Sequence, residues 1–220
     1  MRLLILRHGE SHSNAHPDAV ALPEAEGDRL TETGHGQAAA AGRWLAGRDF
    51  DRLVSSPMRR ARQTAEAVAA ATGAEIQIDG GIHELRESDG YLSLPPEEQR
   101  LRRWSVWMAE HGDDPDWAPE GGESFNAVLA RVIAFKERLE AGPAEQTVLA
   151  VSHGIFTRFF LFHSLFEERF RAADVHRLWH LRTVNCGLSA FDLGERRHPA
   201  DPEVRGWSCS TWMARPWQAG

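Results

Sequence analysis

Arg7, His8, Arg60 and His153 are the side chains of this sequence whose types suit phosphate chemistry, provided that the fold brings them together. Arginine stays charged at any working pH and offers planar, forked donors that match phosphate oxygens. A helix opening near Ser56-Pro57 would add unpaired backbone N–H groups and the positive end of its dipole. An imidazole with an ordinary pKa of about 6.5 is largely unprotonated at neutral pH, so His8 can attack phosphorus without a metal. Arg7 and Arg60 beside it would favour the neutral ring and stabilise charge on the equatorial oxygens of the transferring group. The chemistry such a set supports is capture of a phosphate dianion and its transfer to His8. The leaving oxygen then needs a proton. Glu84, in Ile82-His83-Glu84-Leu85, is the candidate donor, and Glu87 is the second choice.

Each of these residues stands where an element should end or begin. The apolar run Arg2 to Leu6 reads as a buried parallel strand that delivers Arg7 and His8. Thr147 to Val151 is a second such run, ending in Ser152-His153-Gly154 before an aromatic helix over Phe156 to Phe166. Phe50 to Val54 predicts a strand, after which Ser56 as cap and Pro57 as first residue open a helix to about Thr72, closed by Gly73. Helices are also expected over Thr33 to Leu45 and Glu123 to Leu139, and strands over Glu75 to Ile78, Gly187 to Leu193 and Val204 to Met213. Residues 83 to 122 break the rhythm with prolines, glycines and aromatics. They read as an inserted, mainly helical cap over the site, with a helix from about Pro96 to His111. Alternating strands and helices predict an α/β layered fold with ligands beyond the carboxyl ends of the strands.

The 220 residues, 42% hydrophobic and 26% charged, fit one globular domain spanning the chain. No run approaches the roughly 18 apolar residues of a membrane span, and the start of the chain turns polar too soon for a signal peptide. A cytoplasmic protein is expected, consistent with Cys186 and Cys209 being the two cysteines and lying far apart. The formal net charge of −7 argues against broad nucleic-acid binding, so an anionic ligand must be captured locally. The expected substrate is a small phosphorylated metabolite.

Arg7-His8-Gly9-Glu10-Ser11, with Asn14 beyond it, resembles the signature of the histidine phosphatase superfamily, whose members include phosphoglycerate mutases. Leu30-Thr31-Glu32-Thr33-Gly34 with Gln37, Ser55 to Ala65, Gly121-Gly122-Glu123-Ser124 and Val151-Ser152-His153-Gly154 agree in the same order, from Arg2 to about Leu193. The resemblance implies a three-layer α/β/α sandwich around a mixed, mostly parallel sheet, with no metal and no organic cofactor. It implies that His8 is phosphorylated, that Arg7, Arg60 and His153 hold the phosphate, and that Asn14 and the Gly154 backbone lie beside it.

Departures from the mutase branch set the expected activity. His12 to Asp28 lacks the tryptophan and further asparagine of that branch, and the insertion offers only Arg100, Arg102 and Arg103 in place of its second-phosphate segment. A phosphatase is therefore expected, with a phosphoglycerate mutase-type phosphotransferase and a noncatalytic phospho-ligand binding module as the alternatives. Zinc hydrolysis is disfavoured because His83-Glu84-Leu85-Arg86-Glu87 lacks the second histidine of H-E-x-x-H. No G-x-S-x-G or P-loop motif is present. Trp207, Trp212 and Trp217 predict a capping strand packed on the core, or else a pocket wall or the interface of a homodimer.

Overall fold

The structure, a computed structural model, describes residues 1–15, 28–87, 98, 110–198 and 201–218. Its frame is a six-stranded sheet made of β1 (Arg2–Arg7), β2 (Arg52–Ser55), β3 (Ile76–Ile78), β4 (Thr147–Ser152), β5 (Leu188–His198) and β6 (Asp201–Ala214), in the order β3-β2-β4-β1-β5-β6. The first four run parallel; β5 is antiparallel to both β1 and β6. The mixed, mostly parallel sheet is thus as expected.

The apolar runs are continuous because both faces are covered, and successive side chains point to opposite faces. Leu3, Ile5, Val148 and Ala150 enter one buried cluster with α4 (Phe125–Glu140) and α5 (Gly154–Phe166). Leu4, Leu6, Leu149 and Val151 enter the other with α2 (Glu32–Leu45) and α3 (Arg59–Thr72). A short helix, α1 (His12–Ala15), follows β1. Helices therefore lie on both sides of the sheet, and the sandwich is confirmed. Phe156, Phe159 and Phe160 of α5 are fully buried, and each such ring contributes about 1.5–3 kcal/mol of transfer free energy.

One local expectation fails. Helix α3 begins at Arg59 with Met58 as its cap residue, not at Ser56-Pro57. Ser56 is still tied to the sheet, its N–H on the Val151 carbonyl at 3.0 Å, and its Oγ accepts from the Met58 N–H at 3.3 Å, short of the helix. Most of the helix predicted over Pro96 to His111, the arginines at 100, 102 and 103, and most of the cap lie outside the described residues. The C-terminal tryptophans pack inward: Trp207 is buried and donates to Glu140 at 2.6 Å, and Trp217 meets Trp44 edge to face. Among the described residues, no helix is long and apolar enough to cross a membrane.

Candidate active site

Strand register brings the two histidines together. Arg7 pairs with Ser152 at the last rung of β1 and β4, so His8 and His153 leave the sheet side by side, with the His8 N–H on the Ser152 carbonyl at 3.0 Å. Their rings lie 5.1 Å apart between centroids. β2 pairs with the other edge of β4, and Ser56 just past its end places Oγ 2.8 Å from His153 Nε2. Arg60, in the first turn of α3, reaches back across the strand ends and donates from Nε to His8 Nε2 at 3.2 Å.

One hydrogen bond fixes the tautomer of His8. Nδ1 is 2.7 Å from the Gly9 carbonyl, which can only accept, so Nδ1 carries the proton and Nε2 keeps its lone pair. Both rings are almost wholly buried. Burial first, and then the charges of Arg60 and Arg7, hold His8 well below its usual pKa. Burial, Arg60, His8 and Arg7 do the same for His153. Two polar atoms, Arg7 Nε and His153 Nδ1, are buried with no hydrogen-bond partner. Such atoms are rare in folded proteins, and here both belong to groups that suit an anion. Burial also lowers the Arg7 pKa, with the Glu84 charge acting in opposition.

All the expected site residues meet at this end of the sheet. Gly154 is the first residue of α5, and a Cβ there would stand 3.1 Å from Thr183 Oγ1 and 3.5 Å from Arg7 Nε. Asn14 accepts from Asn185 at 2.8 Å, and the same amide donates to the His8 carbonyl at 3.3 Å, so Asn14 stands at the rim. Glu84 accepts from its neighbour Leu85 and from the first N–H groups of α5, at Ile155 (3.1 Å) and Phe156 (3.4 Å). Glu87 is half-buried in the same segment.

The match to known proteins follows this geometry. Residues 3–204 fit the model of the histidine phosphatase superfamily, branch 1. The chain belongs to that superfamily. It is 30% identical over 201 residues to the adenosylcobalamin/alpha-ribazole phosphatase of Salmonella typhimurium, covering 89% of this chain and 92% of the relative. It is 28% identical over 221 residues to the probable phosphoglycerate mutase GpmB of Photorhabdus laumondii, covering 99% and 90%. Among solved structures, a mycobacterial glucosyl-3-phosphoglycerate phosphatase in complex with VO3 superposes with a TM-score of 0.74 at 25% identity, covering 97% of this chain and 99% of that one.

Within this superfamily member, the motifs around this cluster serve as anchors. Gly9 donates to Thr64 Oγ1 at 3.0 Å, and Glu10 meets Gln37 and Thr31. Glu123 takes two donors from Arg131 and one from the Arg86 N–H, while Arg131 also holds the Gly81 and His83 carbonyls, so the segment bearing Glu84 is tied to α4. Burial would raise the Glu123 pKa, but the Arg131 guanidinium more than offsets it and holds the carboxyl below its usual range. Ser124 caps α4 by accepting from the Ala127 N–H. Sequence reasoning missed Asp28. It binds Arg60 Nη1 and the Arg59 N–H, both at 2.6 Å, and so supplies the cap that Met58 lacks. Arg158 and Thr183 were missed as well, and no spacing in the sequence marks either.

Proposed function

We propose that the chain is a phosphatase that hydrolyses phosphomonoesters of small metabolites through a phosphohistidine on His8. The observation that carries this is the tautomer of His8: a neutral ring whose Nε2 lone pair faces Arg60, beside Arg7 Nε and His153 Nδ1. In the first step Nε2 bonds to phosphorus as the P–O bond to the leaving group breaks, and the contact from Arg60 passes from Nε2 to a phosphate oxygen. Arg7 holds a second oxygen. With Ser56 Oγ donating to His153 Nε2, His153 Nδ1–H faces a third. In the second step water attacks phosphorus, the P–N bond breaks, and orthophosphate leaves with His8 restored.

A carboxyl must deliver the first proton and help to remove one from the water. Glu84 stands at the pocket, but its oxygens already accept backbone N–H groups, which suits an anion that orders the start of α5. This favours Glu87, three residues on, as the proton carrier, with Glu84 holding the loop and balancing Arg7. Asn14 closes the rim through Asn185. No metal is needed in this scheme, because the arginines supply the positive charge.

The phosphatase reading over the mutase rests on the sequence of His12 to Asp28, which lacks the mutase features, and on phosphatases among the relatives. The deciding experiment is a panel of phosphomonoesters assayed with a chelator present, with 2- and 3-phosphoglycerate tested for interconversion. Orthophosphate release that survives the chelator is the expected result. Interconversion without release would make the chain a mutase, and silence would leave a binding module. Cys186 and Cys209 are both free, so the proposed location is the reducing cytoplasm; recovery in a membrane or secreted fraction would refute it.

A further inference from the structure

The segment Leu181 to Thr183 joins a 3-10 helix (Ala172–His180) to β5 through the loop 184–187 and lies beside the proposed phosphate pocket, with Thr183 against Gly154 and Arg7. Its three consecutive carbonyls each receive a side-chain donor from a different element. Arg158 of α5 gives Nε and Nη2 to the Leu181 carbonyl at 3.0 and 2.8 Å. Trp212 of β6 gives Nε1 to the Arg182 carbonyl at 3.1 Å. Arg7 of β1 gives Nη1 to the Thr183 carbonyl at 3.3 Å. A connecting segment on a protein surface normally leaves such carbonyls to water, so three clamps in a row mark a segment that is held in place.

We infer that Arg158 is a positioning residue: by clamping Leu181 it fixes the Thr183 carbonyl, which aims the Arg7 guanidinium so that Nε faces the phosphate. This rests on the phosphate pocket proposed above. The Arg7 guanidinium makes no other hydrogen bond among the described residues, and its Nε has no partner there. The fork of Arg158 spans a single carbonyl, a geometry that lysine cannot reproduce. Trp179, whose ring lies 5.3 Å below the guanidinium, holds the fork from the other side. Thr183 also packs close to the start of α5, where a Cβ on Gly154 would stand 3.1 Å from its Oγ1. Glu84 acts electrostatically on both Arg7 and Arg158, so the two cations share one counter-charge.

Calorimetric titration with orthophosphate tests this without requiring turnover. Arg158→Met should raise the Kd for orthophosphate about tenfold, the loss of one well-placed charge-assisted contact, with the circular dichroism spectrum unchanged. Arg158→Lys should raise it severalfold, and it serves as the variant to read if Arg158→Met does not fold. Made in an Arg7→Lys background, the Arg158 substitution should add little, because it acts through Arg7. A lowered Tm with an unchanged Kd would reduce Arg158 to a structural role, and additive losses would show that it does not act through Arg7. Either result overturns the inference. If the parent protein binds orthophosphate but releases none from esters, the phosphatase reading falls and the role of Arg158 stands. If the parent protein binds none, both fall.

Discussion

His8 has one ring nitrogen committed to the Gly9 carbonyl and the other facing Arg60, so removing the ring removes the proposed nucleophile with little disturbance to the sheet. His8→Ala should lower kcat by about three orders of magnitude or more while leaving the circular dichroism spectrum in place. Retained turnover would exclude the phosphohistidine. The proposed attack needs the neutral ring, and burial with two arginines depresses its pKa. Activity should therefore persist as the pH falls below about 6.5 and decline only further into the acid range. An acid limb in kcat/KM centred at or above about 6.5 would contradict this. The two glutamates separate by leaving group: Glu87→Gln should slow alkyl phosphates far more than p-nitrophenyl phosphate, whose leaving group needs no proton, whereas Glu84→Gln should slow both. The reverse pattern would return the donor role to Glu84. At this scale the histidines and arginines were legible in the sequence because each stands at the end of a distinct local run. Asp28 and Arg158 were not, since an isolated Asp or Arg acquires its role only from distant partners.

Among the elements, β1 and β4 could be read residue by residue, because a parallel strand covered on both faces has no choice but to be apolar. The start of α3 could not. Ser56-Pro57 has the local chemistry of a helix start, but strand pairing and His153 hold Ser56, and Asp28, from far earlier in the chain, caps the helix instead. Asp28→Ala should therefore cost about 3 kcal/mol in urea unfolding by leaving Arg60 without its buried partner, and should weaken orthophosphate binding. An unchanged midpoint would deny Asp28 that role. The approach of α2 to the loop after β1 is closer still: a Cβ on Gly34 would lie 2.0 Å from the Glu10 carbonyl oxygen, and one on Gly9 would lie 2.6 Å from that of Gly34. Both obstacles are backbone, so Gly34→Ala should displace the His8 loop and appear as insoluble or inactive protein. Normal activity in that variant would contradict the contact.

Taken whole, the fold holds three buried or half-buried histidines below their usual pKa among the described residues. His8 and His153 are well below their usual pKa, and His163 falls to about 4 through burial and the Lys136 charge. Unfolded, each takes a proton near pH 6.5, so between that pH and the folded values the unfolded chain binds more protons and stability falls as the pH drops. The net charge of −7 shrinks over the same range and acts in the opposite sense, so the comparison is with a variant. His163→Gln should lose less Tm between pH 7 and pH 5 than the parent; an equal loss would show that His163 contributes nothing to the slope. The layered architecture was legible from alternating runs of strand and helix, whereas the antiparallel place of β5 was not, because hairpin partners are chosen by packing against β1. That place has a consequence for the order of assembly. Of the six strands described, the one that leads into His8 is made first, yet it sits between β4 and β5, the latter beginning only at Leu188. Everything from β1 to β5 must therefore leave the ribosome before β1 has both neighbours, and a nascent or truncated chain that stops short of β5 carries Arg7, His8, Arg60 and His153 without a finished place to hold them.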